Sequence, residues 1–312
     1  MSELVTIVVS AGGASGEMLS LCLDSIERHS KDEETTYNVL VVAPSHQSMI
    51  PFAVAKAKGV QTRFVDVEDT DLAGSALHGH VLDAVVPHID TPYLLTLDAD
   101  CFPLSNAWLD DLMYMIQDEG ASIAGILHPY IPPDDDMPKT GIEYRIRSQL
   151  CWNNTHVACQ LIGMDTLKRL GVGYSDGDDT GFAITKAAHE AGMKVTGYMP
   201  SSCACTGNAA NELETNREYC VVYGGCMYHH GGGSREEQDR GTPASEWSSV
   251  RAEIIEKGAE FLLQPGGSWH YLFDPGFPVS REIEEPIADA MARRIMGGMM
   301  VHLQNNDGLF DK

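Results

Sequence analysis

Apolar residues fall in short runs separated by helical stripes along the first 130 or so positions. Leu4–Val9 is a compact β-branched run and predicts a buried first strand. Met18–His29 carries Leu19, Cys22, Leu23 and Ile26 at helical spacing. Val39–Val42 predicts a second strand, followed by the loop Ala43-Pro44-Ser45-His46. Pro51–Lys58 reads as a helix that stops at Gly59, and Thr62–Val67 as a third strand. Gly74–Val86 is a helix that opens with an unusual face of Ser75, His78 and His80. Tyr93–Leu97, opened by Pro92, is a short apolar run and reads as a buried strand. Asn106–Gln117 is amphipathic, with Trp108, Leu109, Leu112, Met113 and Ile116 on its buried side, and Ser122–Leu127 is a further strand.

Strands and helices alternating across short connections predict an α/β fold: a mostly parallel central sheet flanked by helices. The 312 residues allow one large α/β domain with an extension. The expected division is a main α/β domain over 1–235 and a helical C-terminal extension over 236–312. In the extension Trp247–Leu263 reads as an amphipathic helix. Pro265–Pro278 is turn-rich, with Trp269, His270, Tyr271, Phe273 and Phe277, and packing is the expected use of those rings. Glu282–Met300 reads as a helix that either docks on the domain or makes a homo-oligomer.

Charge narrows the partners. The chain has 45 acidic against 21 basic residues, a formal charge of −24. Sequence-independent nucleic-acid binding needs Lys and Arg to neutralise phosphates, so it is not expected here. An anionic membrane surface is disfavoured for the same reason. No apolar run approaches the ~20 residues of a membrane span. The first ten residues lack the basic and apolar regions of a signal peptide, so the expected location is cytoplasmic. The eight cysteines are then expected to be reduced thiols.

The predicted strand Tyr93–Leu97 ends in two carboxylates, Asp98 and Asp100, around Ala99. Side chains alternate along extended chain, so the two acids project the same way. Two anions aimed at one point repel unless a cation lies between them. A hard divalent ion, Mg2+ or Mn2+, fills that place and keeps positions open for phosphate oxygens. The alternative is that both acids are solvated or cap the following helix. The first strand ends in a loop of small residues from Ser10, Ala11 and Gly12 to Gly16, which lets a ligand approach the backbone. Asp178 and Asp179 precede a predicted helix, Phe182–Ala191, where one can serve as a cap and the other can face a substrate.

In order and kind these segments resemble the GT-A glycosyltransferases, closest to the family-2-like group, over roughly residues 4–235. The resemblance rests on the small-residue loop after the first strand, Ala76-Leu77-His78-x-x-Val81, Leu97-Asp98-Ala99-Asp100, Ile162-Gly163-Met164 with Leu167-x-x-Leu170-Gly171, Asp176-Gly177-Asp178-Asp179-Thr180-Gly181, and Cys226-Met227-Tyr228-His229-His230 before a glycine run. It implies that Asp98 and Asp100 hold a divalent ion and the ribose–diphosphate of a nucleotide-diphospho-sugar. Ser10, Ala11, Gly12, His78 and Ala99 would line that nucleotide, His78 standing where the family has Asn. One of Asp178 and Asp179 would be the catalytic base of an inverting enzyme, with Asp179 the match to the usual position. His230, or His229, would complete the metal site.

The implied function is a metal-dependent glycosyltransferase of the hexosyltransferase class, using Mn2+ or Mg2+ and a carbohydrate or other hydroxyl acceptor. The family's Asp near the nucleobase is missing: the loop after the second strand reads Ala43-Pro44-Ser45. The base is therefore open, as are retention or inversion, sugar and acceptor. Two rivals remain. A nucleotidyltransferase would make nucleotide-sugars, and its Gly-rich loop normally carries Arg and Lys that Ser10–Gly16 lacks. A non-catalytic homologue would bind nucleotide or sugar only.

Overall fold

Val5–Ser10, the first strand β1, shows why the sheet is covered on both faces. Val5, Ile7 and Val9 belong to one buried cluster and Val8 to another. Alternate side chains of an extended chain point to opposite faces, so a strand apolar on both sides must lie between two layers. The computed structural model describes residues 3–12, 16–31, 34–68, 72–129, 152–177, 179–203, 220–231 and 244–258.

The other strands of the main sheet are β2 (Tyr37–Pro44), β3 (Gln61–Val65), β4 (Tyr93–Asp98), β6 (Ile123–Pro129), β7 (Trp152–Gly163) and β8 (Val195–Tyr198). Together with β1 they form a seven-stranded sheet in the order β3-β2-β1-β4-β7-β6-β8. All neighbours are parallel except β7, which runs antiparallel to both β4 and β6. The expected α/β class with a mostly parallel sheet is what the structure has.

Helices α1 (Gly16–His29) and α4 (Trp108–Gln117) cover one face. Met18, Leu19, Cys22, Leu23 and Ile26 of the first, and Trp108, Leu109, Leu112 and Met113 of the second, pack with Leu95 and Leu97 of β4. Helix α2 (Met49–Ala57) adds Ala55 to the same cluster. Helices α3 (Gly74–Val85), α5 (Met164–Leu170) and α6 (Phe182–Glu190) cover the other face with Val81, Leu82, Val85, Met164, Leu167, Ile184 and Ala188. Each such side chain, fully buried, contributes roughly 1.5–3 kcal/mol. Helix α7 (Ala244–Lys257) lies within the predicted extension, and its Ile254 is buried in the first cluster. Pro265–Pro278 and Glu282–Met300 lie outside the described residues.

A second, four-stranded sheet was not expected. It joins β5 (Cys101–Pro103), β11 (Met227–His229), β10 (Val221–Tyr223) and β9 (Pro200–Cys203), in that order and all antiparallel. Because β5 starts directly after Asp100, this sheet grows out of the carboxyl end of β4.

In the main sheet β1 is the strand at which the order reverses, with β2 and β3 on one side and β4 on the other. Ligands of open α/β sheets bind beyond the carboxyl ends of strands at such a point. The paired residues there are Ser10 and Asp98.

Candidate functional site

Asp98 and Asp100 stand on the turn that leads from β4 into β5. The turn is held from behind: Ala99 N–H donates to the Ser10 carbonyl at 3.0 Å, and the Cys22 thiol of α1 donates to the Cys101 carbonyl at 3.4 Å. Ala99 is buried, as extended alternation requires if its neighbours face the site.

The second sheet supplies the imidazole. In the β5–β11 ladder His229 lies opposite Cys101, and His230 N–H donates to the Asp100 carbonyl at 3.0 Å. Alternation along β11 then separates the two histidines. His230 goes with Tyr228 toward the core, where Tyr228 Oη and His230 Nδ1 are 2.7 Å apart and the Cys220 thiol lies 3.5 Å from the same nitrogen. His229 goes the other way, with Nε2 3.9 Å from Asp100 Oδ1. One ligand atom each of Asp98, Asp100 and His229 lie within 4.8 Å of one another. Among the described residues it is His229, not His230, that joins the carboxylates.

From α3, His78 brings Nε2 to 3.5 Å from Asp98 Oδ1. Neither atom makes a hydrogen bond among the described residues. Burial raises the Asp98 carboxyl to about 7, with the Asp100 charge adding to the effect. Burial lowers His78 and His229 to about 4, so both rings are neutral near pH 7.

These facts test whether a divalent cation fits. Two carboxylates, Asp100 buried and Asp98 half-buried, lack positive charge, and Asp98 is unable to ionise fully near neutrality. A neutral imidazole beside them has a lone pair to give, and the buried Asp98 Oδ1 has no hydrogen-bond partner among the described residues. Two carboxylate oxygens and one imidazole suit Mn2+ better than Mg2+. The donor set fits.

Of the small-residue loop, Ala11 is buried and its N–H donates to the Val42 carbonyl, which leaves it no free donor. Gly12 is exposed, and the buried Ser10 Oγ has no partner among the described residues.

Asp179 is exposed on the loop before α6. Its Oδ1 accepts the Thr180 N–H at 2.9 Å. The helix starts after Gly181, whose φ is 73°, so Asp179 lies outside the cap and its carboxylate holds no helix amide. Asp178 lies outside the described residues. The loop is tied to α3: Thr180 Oγ1 donates to the Ser75 carbonyl at 2.8 Å, and the Asp83 carboxylate accepts the N–H groups of Tyr174 and Ser175 at 2.6 and 2.9 Å. Gly79 makes this approach possible, because a Cβ there would stand 2.7 Å from the Ser175 Cα.

Two residues of the site were absent from the sequence expectations. His128 is the last residue but one of β6, and His156 lies within β7. Their rings stack at 4.5 Å, and His156 is 5.3 Å from the His229 ring. His128 directly follows the predicted strand Ser122–Leu127, so the rule that ligands gather at carboxyl strand ends could have found it. No comparable signal marks His156. Of the cysteines expected to be reduced, Cys22, Cys101, Cys159, Cys220 and Cys226 are free and buried.

No protein-family model matches the chain, and no curated protein matches it. Solved structures similar to it include the mannosyltransferase PcManGT from Pyrobaculum calidifontis in complex with GDP-Man and Mn2+, at 17% identity and TM-score 0.45 over 64% of this chain and 55% of that one. Another is S. aureus TarS 1-349 in complex with UDP-GlcNAc, at 12% identity and TM-score 0.40 over 58% of this chain and 52% of that one. A third is 4-diphosphocytidyl-2C-methyl-D-erythritol synthase from Anaerococcus prevotii, at 12% identity and TM-score 0.41, where 63% of this chain matches 88% of that one. The chain thus spans about half the length of the first two. Likeness at this level assigns no activity to it. No described helix is long and apolar enough to cross a membrane.

Proposed function

We propose that this protein is a divalent-metal-dependent glycosyltransferase that moves a sugar from a nucleotide-diphospho-sugar to an acceptor hydroxyl. The observation that carries this reading is the convergence of Asp98, Asp100 and His229 beyond the carboxyl end of β4, at the strand where the sheet order reverses. Asp98, Asp100 and His229 would hold the ion, with Mn2+ favoured. An ion bound there supplies Lewis-acid stabilisation of charge on the departing diphosphate. Gly12 gives the nucleotide a backbone to approach, and His78 offers a neutral ring beside Asp98. Asp179 would take the acceptor proton. In that step the acceptor oxygen bonds to the anomeric carbon as the bond to the diphosphate oxygen breaks, and the hydroxyl proton passes to the Asp179 carboxylate.

The test is release of nucleoside diphosphate from a panel of UDP-, GDP-, CDP-, ADP- and TDP-sugars with Mn2+, against candidate sugar acceptors. Release from one or more donors, abolished by EDTA, is expected. Pyrophosphate release from nucleoside triphosphate and sugar phosphate would instead mark a nucleotidyltransferase. Binding without turnover throughout would mark a non-catalytic homologue.

A further inference from the structure

β7 does not run evenly through the sheet. Gly125 of β6 pairs with Gln160 and Leu127 pairs with Thr155, so residues 156–159 of β7 face the single residue Ile126. This wide bulge is braced by dedicated polar side chains. Thr96 Oγ1 donates to the Val157 carbonyl at 2.6 Å. Gln160 Nε2 donates to Thr155 Oγ1 at 2.9 Å and to the Thr155 carbonyl at 3.3 Å. Thr96, Thr155 and Gln160 are all buried, where a polar side chain is costly unless bonded. Gly125 leaves room beneath, since a Cβ there would stand 2.1 Å from the Cys159 carbonyl oxygen. Bulges beside functional sites re-aim a side chain. The histidine at the start of this one is His156.

The His156 ring is fixed twice. It stacks on His128 at 4.5 Å and 23°, and His128 Nε2 lies 2.9 Å from Tyr223 Oη. Its own Nδ1 accepts the Ala158 N–H at 3.1 Å. A neutral imidazole has one N–H, and an Nδ1 that accepts leaves that hydrogen on Nε2. No described residue accepts it.

This decides against a metal at the three-histidine cluster. Ring nitrogens of His128, His156 and His229 do lie within 4.8 Å of one another. A histidine bound to a metal through Nε2 carries its hydrogen on Nδ1, whereas the His156 Nδ1 accepts the Ala158 N–H. It turns a hydrogen, not a lone pair, toward any ligand.

We infer that His156 is a preset neutral N–H donor to a non-bridging oxygen of the donor's diphosphate. This rests on the nucleotide-sugar reading above. The ring is 5.3 Å from His229, which groups with Asp98 and Asp100, so an anion held at that group comes within reach of it. Neutrality suits the place. A guanidinium or ammonium there would repel a divalent cation, whereas an uncharged N–H binds the anion without that cost. Donors fixed before the ligand arrives need no reorganisation to do so.

Calorimetry on the full-length protein tests this with His156→Ala and His156→Gln, titrated with Mn2+ alone and then with UDP and GDP in saturating Mn2+. Both variants are expected to bind Mn2+ as the wild type does. Diphosphate affinity is expected to fall about 10–100-fold in His156→Ala, the range for a hydrogen bond to a charged group. Gln, which keeps an N–H at similar reach, is expected to recover most of the loss. Lost Mn2+ binding in both variants, or unchanged diphosphate affinity in His156→Ala, overturns the assignment. A wild type that binds neither diphosphate overturns the glycosyltransferase reading itself, a separate result. The wild type also gives a check free of any folding defect. Its ¹⁵N histidine spectrum should show His156 protonated on Nε2, with that proton shifting when diphosphate binds with diamagnetic Mg2+ in place of Mn2+; protonation on Nδ1 contradicts the inference.

Discussion

The Asp83 carboxylate on α3 accepts the backbone N–H of Tyr174 at 2.6 Å, across 91 residues of sequence. The same carboxylate also accepts from the N–H and the hydroxyl of Ser175. Helix α3 therefore carries His78 toward the carboxylates at one end and pins the loop that bears Asp179 along its side. Asp83→Ala would leave three donors without this acceptor. The melting temperature should fall, by the equivalent of about 1–3 kcal/mol. A loop displaced by about 1 Å should lower turnover on the order of 10²-fold while nucleotide affinity holds. Equal losses in affinity and turnover would show that Asp83 serves the donor site and not the loop.

Asp179 is the candidate base because it is the described acid of its pair, exposed and outside the helix cap. Asp179→Asn should keep nucleotide and metal binding and lower kcat by ~10²–10⁴. Its melting temperature should stay close to wild type, since no helix amide depends on the carboxylate. Full turnover in this variant would move the role to Asp178 or to a retaining mechanism.

His229 and His230 divide metal binding from stability. His229→Ala should weaken Mn2+ binding, as loss of one of three protein ligands requires. His230→Ala removes a fully buried ring bonded to Tyr228 Oη and should chiefly lower stability, by about 1–3 kcal/mol. Mn2+ titration with thermal melting on both variants checks this. The reverse pattern would put His230 at the ion.

Much of this was legible in the sequence. β1, α1, β4 and α4 announce themselves because Val5 to Val9, Leu19 to Ile26 and Trp108 to Ile116 repeat at the period of the element they form. Asp98 and Asp100 were legible because they directly follow an apolar strand. β7 was not: after Trp152 it runs through Asn153, Asn154, Thr155 and His156, and becomes a strand by pairing between β4 and β6. A bulge inside it, braced by Thr96 and Gln160, has no local periodicity, so His156 stayed hidden. β10 and β11 are three residues each, too short to give a strand signal. Without the β5–β11 register, nothing says which of two adjacent histidines turns toward the carboxylates.

Acid should destabilise the metal-free protein through its buried imidazoles. Burial lowers His78 and His229 to about 4 and His230 to about 3, and it lowers His128 and His156 as well. The unfolded chain takes up these protons from about 6.5 downward, while burial holds back the same protonation in the folded protein. Stability rises with pH wherever the unfolded state binds more protons, so it is complete above about pH 6.5 and is lost as pH falls toward 4. Asp98 works in the opposite sense. Its raised pKa gives stability below its ordinary value that is lost as pH rises through about 7. One carboxyl is outweighed by five imidazoles, so the urea midpoint should drop steeply between pH 6.5 and 4.5. A flat profile there would mean that the rings are hydrated.

The most direct test of the metal-dependent nucleotide site is a calorimetric titration of nucleoside diphosphate, with and without Mn2+, into wild type and Asp100→Ala. Wild type should bind UDP or GDP tightly only when Mn2+ is present. Asp100→Ala should lose that Mn2+-dependent binding and remain folded, as judged by its circular dichroism. Equal affinity in the folded variant, or equal affinity with and without Mn2+ in wild type, would contradict a nucleotide held through an ion at Asp98, Asp100 and His229.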